Sequence, residues 1–321
     1  MAFVDPHDNY VDSEAASYTA ELMEVAKTET PFLSMIGGLS GIQRTNSFVF
    51  PMISTYNITA PSEVAAISED DSVDGVVPTE QARLQTQNTC EIHQYAVRTS
   101  YKREATLGQL TALTTTGDGL ANVSNNVSSE LDFQIMVKLK LMALDIEWSF
   151  LNGTLSISAN QTAAAQTGGI TSFAGTTVAA GAADISKALI DELMRDMADA
   201  GSQPTTPVLF CSMLQKQRIS EIYGYVPESR TVGGMNIQTI QNEFLPNLGI
   251  VWCPQLTAST ILVADIAECH PVFNVVPGKP SLFYEEKSQA GASTGGMLFT
   301  MCGLNVGSAE RHGTITGLST S

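Results

Sequence analysis

Positive charge is scarce in this sequence: 16 Lys and Arg stand against 33 Asp and Glu, a net charge of −17 over 321 residues. Such a chain repels phosphates at long range, which argues against a dedicated nucleic-acid binder. A non-adhesive acidic wall beside DNA remains compatible with it. Long apolar runs are missing as well. The most apolar helical stretch, near 131–151, is interrupted by Lys138, Lys140, Asp145 and Glu147, so no membrane span and no membrane partner are expected. The opening residues MAFVDPHDNYVDSEA are acidic where an export signal needs a basic start and an apolar run, so a soluble product made in the cytoplasm is expected. Cysteine is sparse and scattered. Cys90, Cys211, Cys253, Cys269 and Cys302 are odd in number and show no Cys-x-x-Cys spacing, which fits neither a disulfide framework nor a zinc site and predicts buried free thiols.

Catalytic constellations are missing too. His7, His93, His270 and His312 are isolated, with no HExxH and no carboxylate at ligand spacing, so neither a metal nor a cofactor is expected. No GxxxxGK[ST] and no strand–GxGxxG–helix offers a phosphate cradle. One motif does invite chemistry: residues 291–295 read GASTG, the Gly-x-Ser-x-Gly of a hydrolase nucleophile elbow. An elbow needs a helix after Ser293, then an acid and a histidine. Instead Gly295, Gly296 and the strand-like MLFTMCGLNV follow, and only 28 residues remain. Glu310 and His312 are expected to share one short strand, unable to reach back as a triad. Ser293 reads as a turn residue, and no enzyme is expected.

What is present is architecture. An acidic arm opens the chain, with a short helix over 13–29 capped by Ser13 and showing Tyr18, Leu22 and Val25 on one face. β-forming runs at 47–55 and 88–101 enclose a long polar excursion containing Glu69-Asp70-Asp71, the pattern of an extended hairpin with a loop at its tip. The strongest helix signal is ELDFQIMVKLKLMALDIEWSFLNG, 130–153. Leu131, Ile135, Leu139, Met142, Ile146 and Phe150 form one stripe. Phe133, Val137, Leu141, Leu144, Trp148 and Leu151 form an opposed one. Two stripes predict a helix clamped between two layers. Residues 154–183, small and low in complexity, read as a floppy hairpin. Then follow an amphipathic helix within 184–201, a buried strand at 207–212, a helix at 212–223 capped by Ser212, strands at 249–255 and 260–266, and a tail that is β throughout.

The order NTCEIHQYAVRTSYKREATLG, then ELDFQIMVKLKLMALDIEWSFLNG, then LFYEEKSQAGASTGGMLFTMCGLNVGSAERHGTITGL resembles the major capsid proteins of tailed bacteriophages. It is closest to the podophage-type group with the HK97 fold, from about Asn46 to the C-terminus. The resemblance implies an α+β HK97-like subunit: an N-terminal arm (1–45), an extended β-hairpin loop (46–101), and a peripheral domain with the long spine helix and a small hairpin (102–184). An axial domain (185–265) and C-terminal strands returning to the peripheral domain (266–321) complete it. It implies self-assembly into hexamers and pentamers of an icosahedral shell around double-stranded DNA held without sequence-specific contacts. Portal, scaffolding or decoration proteins would be the partners, and the virion the destination. Glu69, Asp70, Asp71, Arg83 and Arg98 are the expected assembly-interface residues. Residues 46–101 contain no lysine, so covalent welding through that loop is not expected, and the short arm argues against a cleaved scaffolding segment. The alternatives are a nanocompartment shell of the encapsulin type and a cytosolic serine hydrolase using Ser293.

Overall fold

The computed structural model of the protein describes residues 29–38, 43–56, 68–74, 80, 83–103, 130–224, 229–232, 235–240, 244–245, 247–288 and 291–320. The expected arm helix, but for Glu29, lies outside them. The chain forms two compact units. One contains Ile92–Glu147 and Val275–Met301, the other Pro31–Glu91, Trp148–Asn274 and Cys302–Ser321.

The larger unit is built on a seven-stranded sheet. In chain order its strands are β5 (Thr176–Ala179), β6 (Pro207–Cys211), β7 (Ser229–Val232), β8 (Met235–Ile240), β9 (Leu248–Trp252), β10 (Ile261–Asp265) and β14 (Gly313–Thr316). In space the order is β5-β14-β10-β6-β9-β8-β7. Every residue of β6 and of β10 is buried, as the apolar runs Pro207–Cys211 and Ile261–Ala264 require of central strands. Leu209 and Cys211 join Ile261, Val263 and Ile315 in a core that also takes Ile190, Leu193 and Met197 from helix α5 (Lys187–Asp199) and Ile219 from α6 (Met213–Tyr223). On the opposite face the Phe210 ring meets Phe32 of α1 (Pro31–Met35) edge-on at 5.5 Å. Both helices start as the sequence predicts of a serine cap: the Ser186 hydroxyl accepts from Leu189 N and the Ser212 hydroxyl from Gln215 N. At β14 an added Cβ on Gly313 would lie 2.7 Å from Met197 Sδ, so glycine is what lets α5 settle onto the sheet.

The same unit holds β1 (Gln43–Thr45), parallel to β11 (His270–Asn274), which runs antiparallel to the end of β13 (Ser293–Asn305). It also holds the ribbon of β2 (Val49–Tyr56) and β3 (Arg83–Thr89). In the smaller unit β13 pairs with β12 (Leu282–Glu286) and with β4 (Glu91–Ser100).

Four expectations need correction. The run 88–101 is two strands rather than one: the chain changes partner at Cys90, β3 pairing with β2 and β4 with β13. The long helix α3 (Glu130–Asn152) is not clamped along both stripes. Met142, Ile146, Phe150 and Leu151 are buried, but Leu139, Leu141 and Trp148 are exposed, because the chain itself supplies a full layer to only part of the helix. The low-complexity stretch is not a loose hairpin from end to end. It makes a bridge between Ser156 and Gln166, a short helix α4 (Ile170–Phe173) and strand β5, with Thr167, Gly168, Gly169 and Ile170 all buried. Small residues are there for close packing: an added Cβ would fall 2.4 Å from the Phe173 ring at Gly168 and 2.4 Å from the Ser149 carbonyl oxygen at Gly153. Lastly, the tail is not wholly β. Ala309–Arg311 is a 3-10 turn, so Glu310 and His312 do not share a strand.

Candidate assembly surface

The ribbon has two unlike halves. Its register runs from Val49 opposite Thr89 to Tyr56 opposite Arg83, with an irregularity between Pro51 and Ser54. At the root Phe50, Met52, Asn88 and Thr89 are buried. Farther out Ile53, Tyr56 and Leu84 are 43%, 65% and 67% exposed, and Arg83–Gln87 are exposed throughout. Hydrophobic and aromatic residues favour strands because they pack against a second layer. Among the described residues nothing covers Ile53, Tyr56 and Leu84 in the outer half of this two-stranded sheet, and an isolated two-stranded ribbon is marginally stable in water. Between Tyr56 and Arg83 the described part of the connection is the exposed acidic helix α2 (Glu69–Asp74).

The root is a socket. The Asn88 amide nitrogen donates to the carbonyls of Gly168 (3.0 Å) and Leu304 (2.7 Å). Its oxygen accepts from Gly168 N and Thr89 N, both at 2.8 Å. Thr167 N donates to the Glu91 carboxylate at 3.3 Å, and the Thr167 hydroxyl accepts from Leu304 N at 3.3 Å. Gly303 completes it, since an added Cβ would lie 2.7 Å from the Thr89 carbonyl oxygen and 2.8 Å from the Phe50 ring.

Of the expected interface residues, Glu69, Asp70 and Asp71 fall in α2. Glu69 and Asp70 are exposed, and the Asp71 side chain lies outside the described ones. Arg83 is exposed where the ribbon meets the excursion. Arg98 belongs to the smaller unit, where its Nε donates to Ser293 Oγ at 2.9 Å. Sequence reasoning missed Ile53, Tyr56, Leu84 and Asn88. The first three could have been found as apolar residues in a polar stretch with β character. Nothing local marks Asn88, whose partners are distant in the chain.

Ser293 itself is buried and opens strand β13, with no helix after it. The downstream groups are engaged elsewhere. The Glu310 carboxylate accepts from the Ser308 hydroxyl at 2.8 Å. His312 Nδ1 accepts from Asp265 N at 3.2 Å, so Nε2 donates to the Val306 carbonyl at 2.8 Å, and burial holds this imidazole below its ordinary pKa and neutral. Burial alone would raise Asp265. Donation from Thr205 N, Thr206 N, the Thr206 hydroxyl and Ala267 N outweighs it and leaves the carboxyl below its usual range. All five cysteines are free and buried, and burial pushes the Cys90 and Cys211 thiols up to about 12, where no thiolate nucleophile forms at neutral pH. Among the described residues no cluster of His, Cys, Asp or Glu could hold a metal ion. No helix among them is long and apolar enough to cross a membrane.

No curated protein matches the sequence. Among solved structures, the chain is similar to the SrpI encapsulin of Synechococcus elongatus PCC 7942, with a TM-score of 0.60 and 11% identity over 100% of this chain and 98% of that one. It is similar to the capsid protein of cyanophage A-1(L), TM-score 0.58 and 11% identity over 94% and 98%. It is also similar to a structure from Mycobacterium phage Patience, TM-score 0.53 and 12% identity over 90% and 84%. These likenesses identify the fold as the α+β HK97-type fold shared by phage capsids and encapsulins. The sequence itself matches the profile of the SU10 major capsid protein over residues 6–319, which favours a phage shell over a nanocompartment. With that match over nearly its whole length, the chain belongs to the SU10 major capsid protein family and is a structural protein of a capsid shell.

Proposed function

We propose that copies of this chain form the hexamers and pentamers of an icosahedral shell enclosing double-stranded DNA, and that the β2–β3 ribbon joins each copy to its neighbour. The observation that carries this reading is the exposure of Ile53, Tyr56 and Leu84 on the outer half of the ribbon. Apolar groups of this kind gain by burial against another copy. On this reading residues 46–101 are the extended loop, 102–184 the peripheral domain, 185–265 the axial domain at the capsomer centre, and 266–321 the returning strands. Glu69, Asp70, Asp71 and Arg83 act where the ribbon tip meets a neighbour, while Arg98 supports the β4–β13 pairing through Ser293. The chain is made in the host cytoplasm and ends in the virion, with portal and scaffolding or decoration proteins as partners. The acidic surface keeps the wall from holding the incoming genome.

The purified chain should form closed particles, visible in negative stain and as large species in sedimentation. Because Tyr56 and Arg83 are register partners, residues 57–82 can be replaced by an Asn-Gly turn without disturbing the ribbon. That variant should sediment as single subunits or small rings. Normal particles from it would refute the role given to the excursion.

A further inference from the structure

Four consecutive residues at the ribbon root, Asn88 to Glu91, each commit a polar group there: the Asn88 amide, the Thr89 hydroxyl and Cys90 N to the Phe48 carbonyl, and the Glu91 carboxylate. Asn88 differs in kind from the others. Its planar amide bonds both the N–H and the C=O of one residue, Gly168, at 2.8 and 3.0 Å, and gives its second proton to Leu304 at 2.7 Å. Two bonds from one plane fix rotation about the β3 axis, and the third fixes tilt towards β13. Phe50 and Met52 add apolar burial at the root, while beyond it the ribbon pairs with no further strand among the described residues. From Asn88 to Arg83 the strand reaches about 17 Å, so a tilt of about 10° at the root moves its far end by about 3 Å. That displacement would put contacts with a neighbour out of register.

From this geometry we infer that Asn88 is a positioning residue for assembly: with Thr167, Gly168 and Leu304 it aims the ribbon at the adjacent copy and thereby sets the uniformity of the shell. The inference rests on the ribbon being the contact between copies.

Asn88→Asp keeps the shape and replaces both amide protons with an oxygen facing two carbonyls. The variant should unfold cooperatively, exchange its amide hydrogens about tenfold faster in 49–56 and 83–87, show unchanged exchange in β6 and β10, and form particles of mixed diameter. Uniform particles with unchanged ribbon exchange would overturn the inference. So would exchange rising equally in β6 and β10, which marks a merely structural role. Where Asn88→Asp does not accumulate folded, Thr167→Val carries the same test with a smaller shift, since it removes the hydroxyl that donates to Asn88 Oδ1 at 3.4 Å and accepts from Leu304 N. Unchanged ribbon exchange and uniform particles from it count against the inference equally. If a chain carrying Ile53→Ser, Tyr56→Ser and Leu84→Ser together assembles normally, the shell reading of the ribbon itself is at fault. If that chain fails to assemble while Asn88→Asp makes uniform shells, only the role of Asn88 is lost.

Discussion

At Gly295 an added Cβ would lie 2.2 Å from the Val97 carbonyl oxygen, whereas Ser293 two residues earlier only receives a hydrogen bond from Arg98. The glycine of the apparent elbow is there so that β4 and β13 can approach, and the serine is there to hold an arginine. Gly295→Ala should therefore lower stability by about 2–3 kcal/mol through forced separation of the strands. Ser293→Ala should cost about 1 kcal/mol, the worth of one hydrogen bond, and leave particle formation intact. Thermal unfolding and negative stain check both. A serine essential for shell formation would contradict this assignment. The sequence was enough to see that Ser293 has no elbow around it. It could not reveal why Gly295 is glycine, since the reason is a strand almost two hundred positions earlier.

The helix α3 separates what periodicity can tell from what it cannot. The stripes at 130–153 locate the helix to within a residue of its observed Glu130–Asn152 span. They do not say which positions along a stripe the chain covers by itself, because an apolar position looks alike whether its layer comes from the same copy or another. Phe150 is fully buried and Leu139 is 41% exposed. Phe150→Ala should thus cost about 3–5 kcal/mol in the unassembled chain, and Leu139→Ala about 1 kcal/mol or less. Equal losses in denaturant titrations would mean that this stripe is core along its whole length. The glycine-rich stretch after the helix teaches a similar lesson. Its composition reads as looseness, yet Gly153, Gly168 and Gly169 are tight because a Cβ at any of them would strike backbone or ring.

For the whole molecule, a charge of −17 on every copy makes association a contest between apolar burial and repulsion. Screening acts on the repulsion alone. Raising the salt from about 50 mM to about 500 mM should lower the chain concentration at which particles form, as followed by light scattering. Assembly that weakens with salt would instead show that attractive pairs, such as the α2 acids with a neighbour's arginines, dominate the contact.

Local physics settled a good deal from the residues alone. The capped starts of α5 and α6, the apolar runs of strands β6 and β10, the buried thiols and the ribbon's strand character all depend on neighbours in sequence or on transfer from water, and all were legible. Partner choice was not. That β3 and β4 divide at Cys90, that Asn88 finds Gly168 and Leu304, and that weak strands such as β5, β7 and β8 join a sheet depend on groups brought together from distant positions. A one-dimensional pattern carries the tendency to pair but not the identity of the partner, which only the folded chain decides.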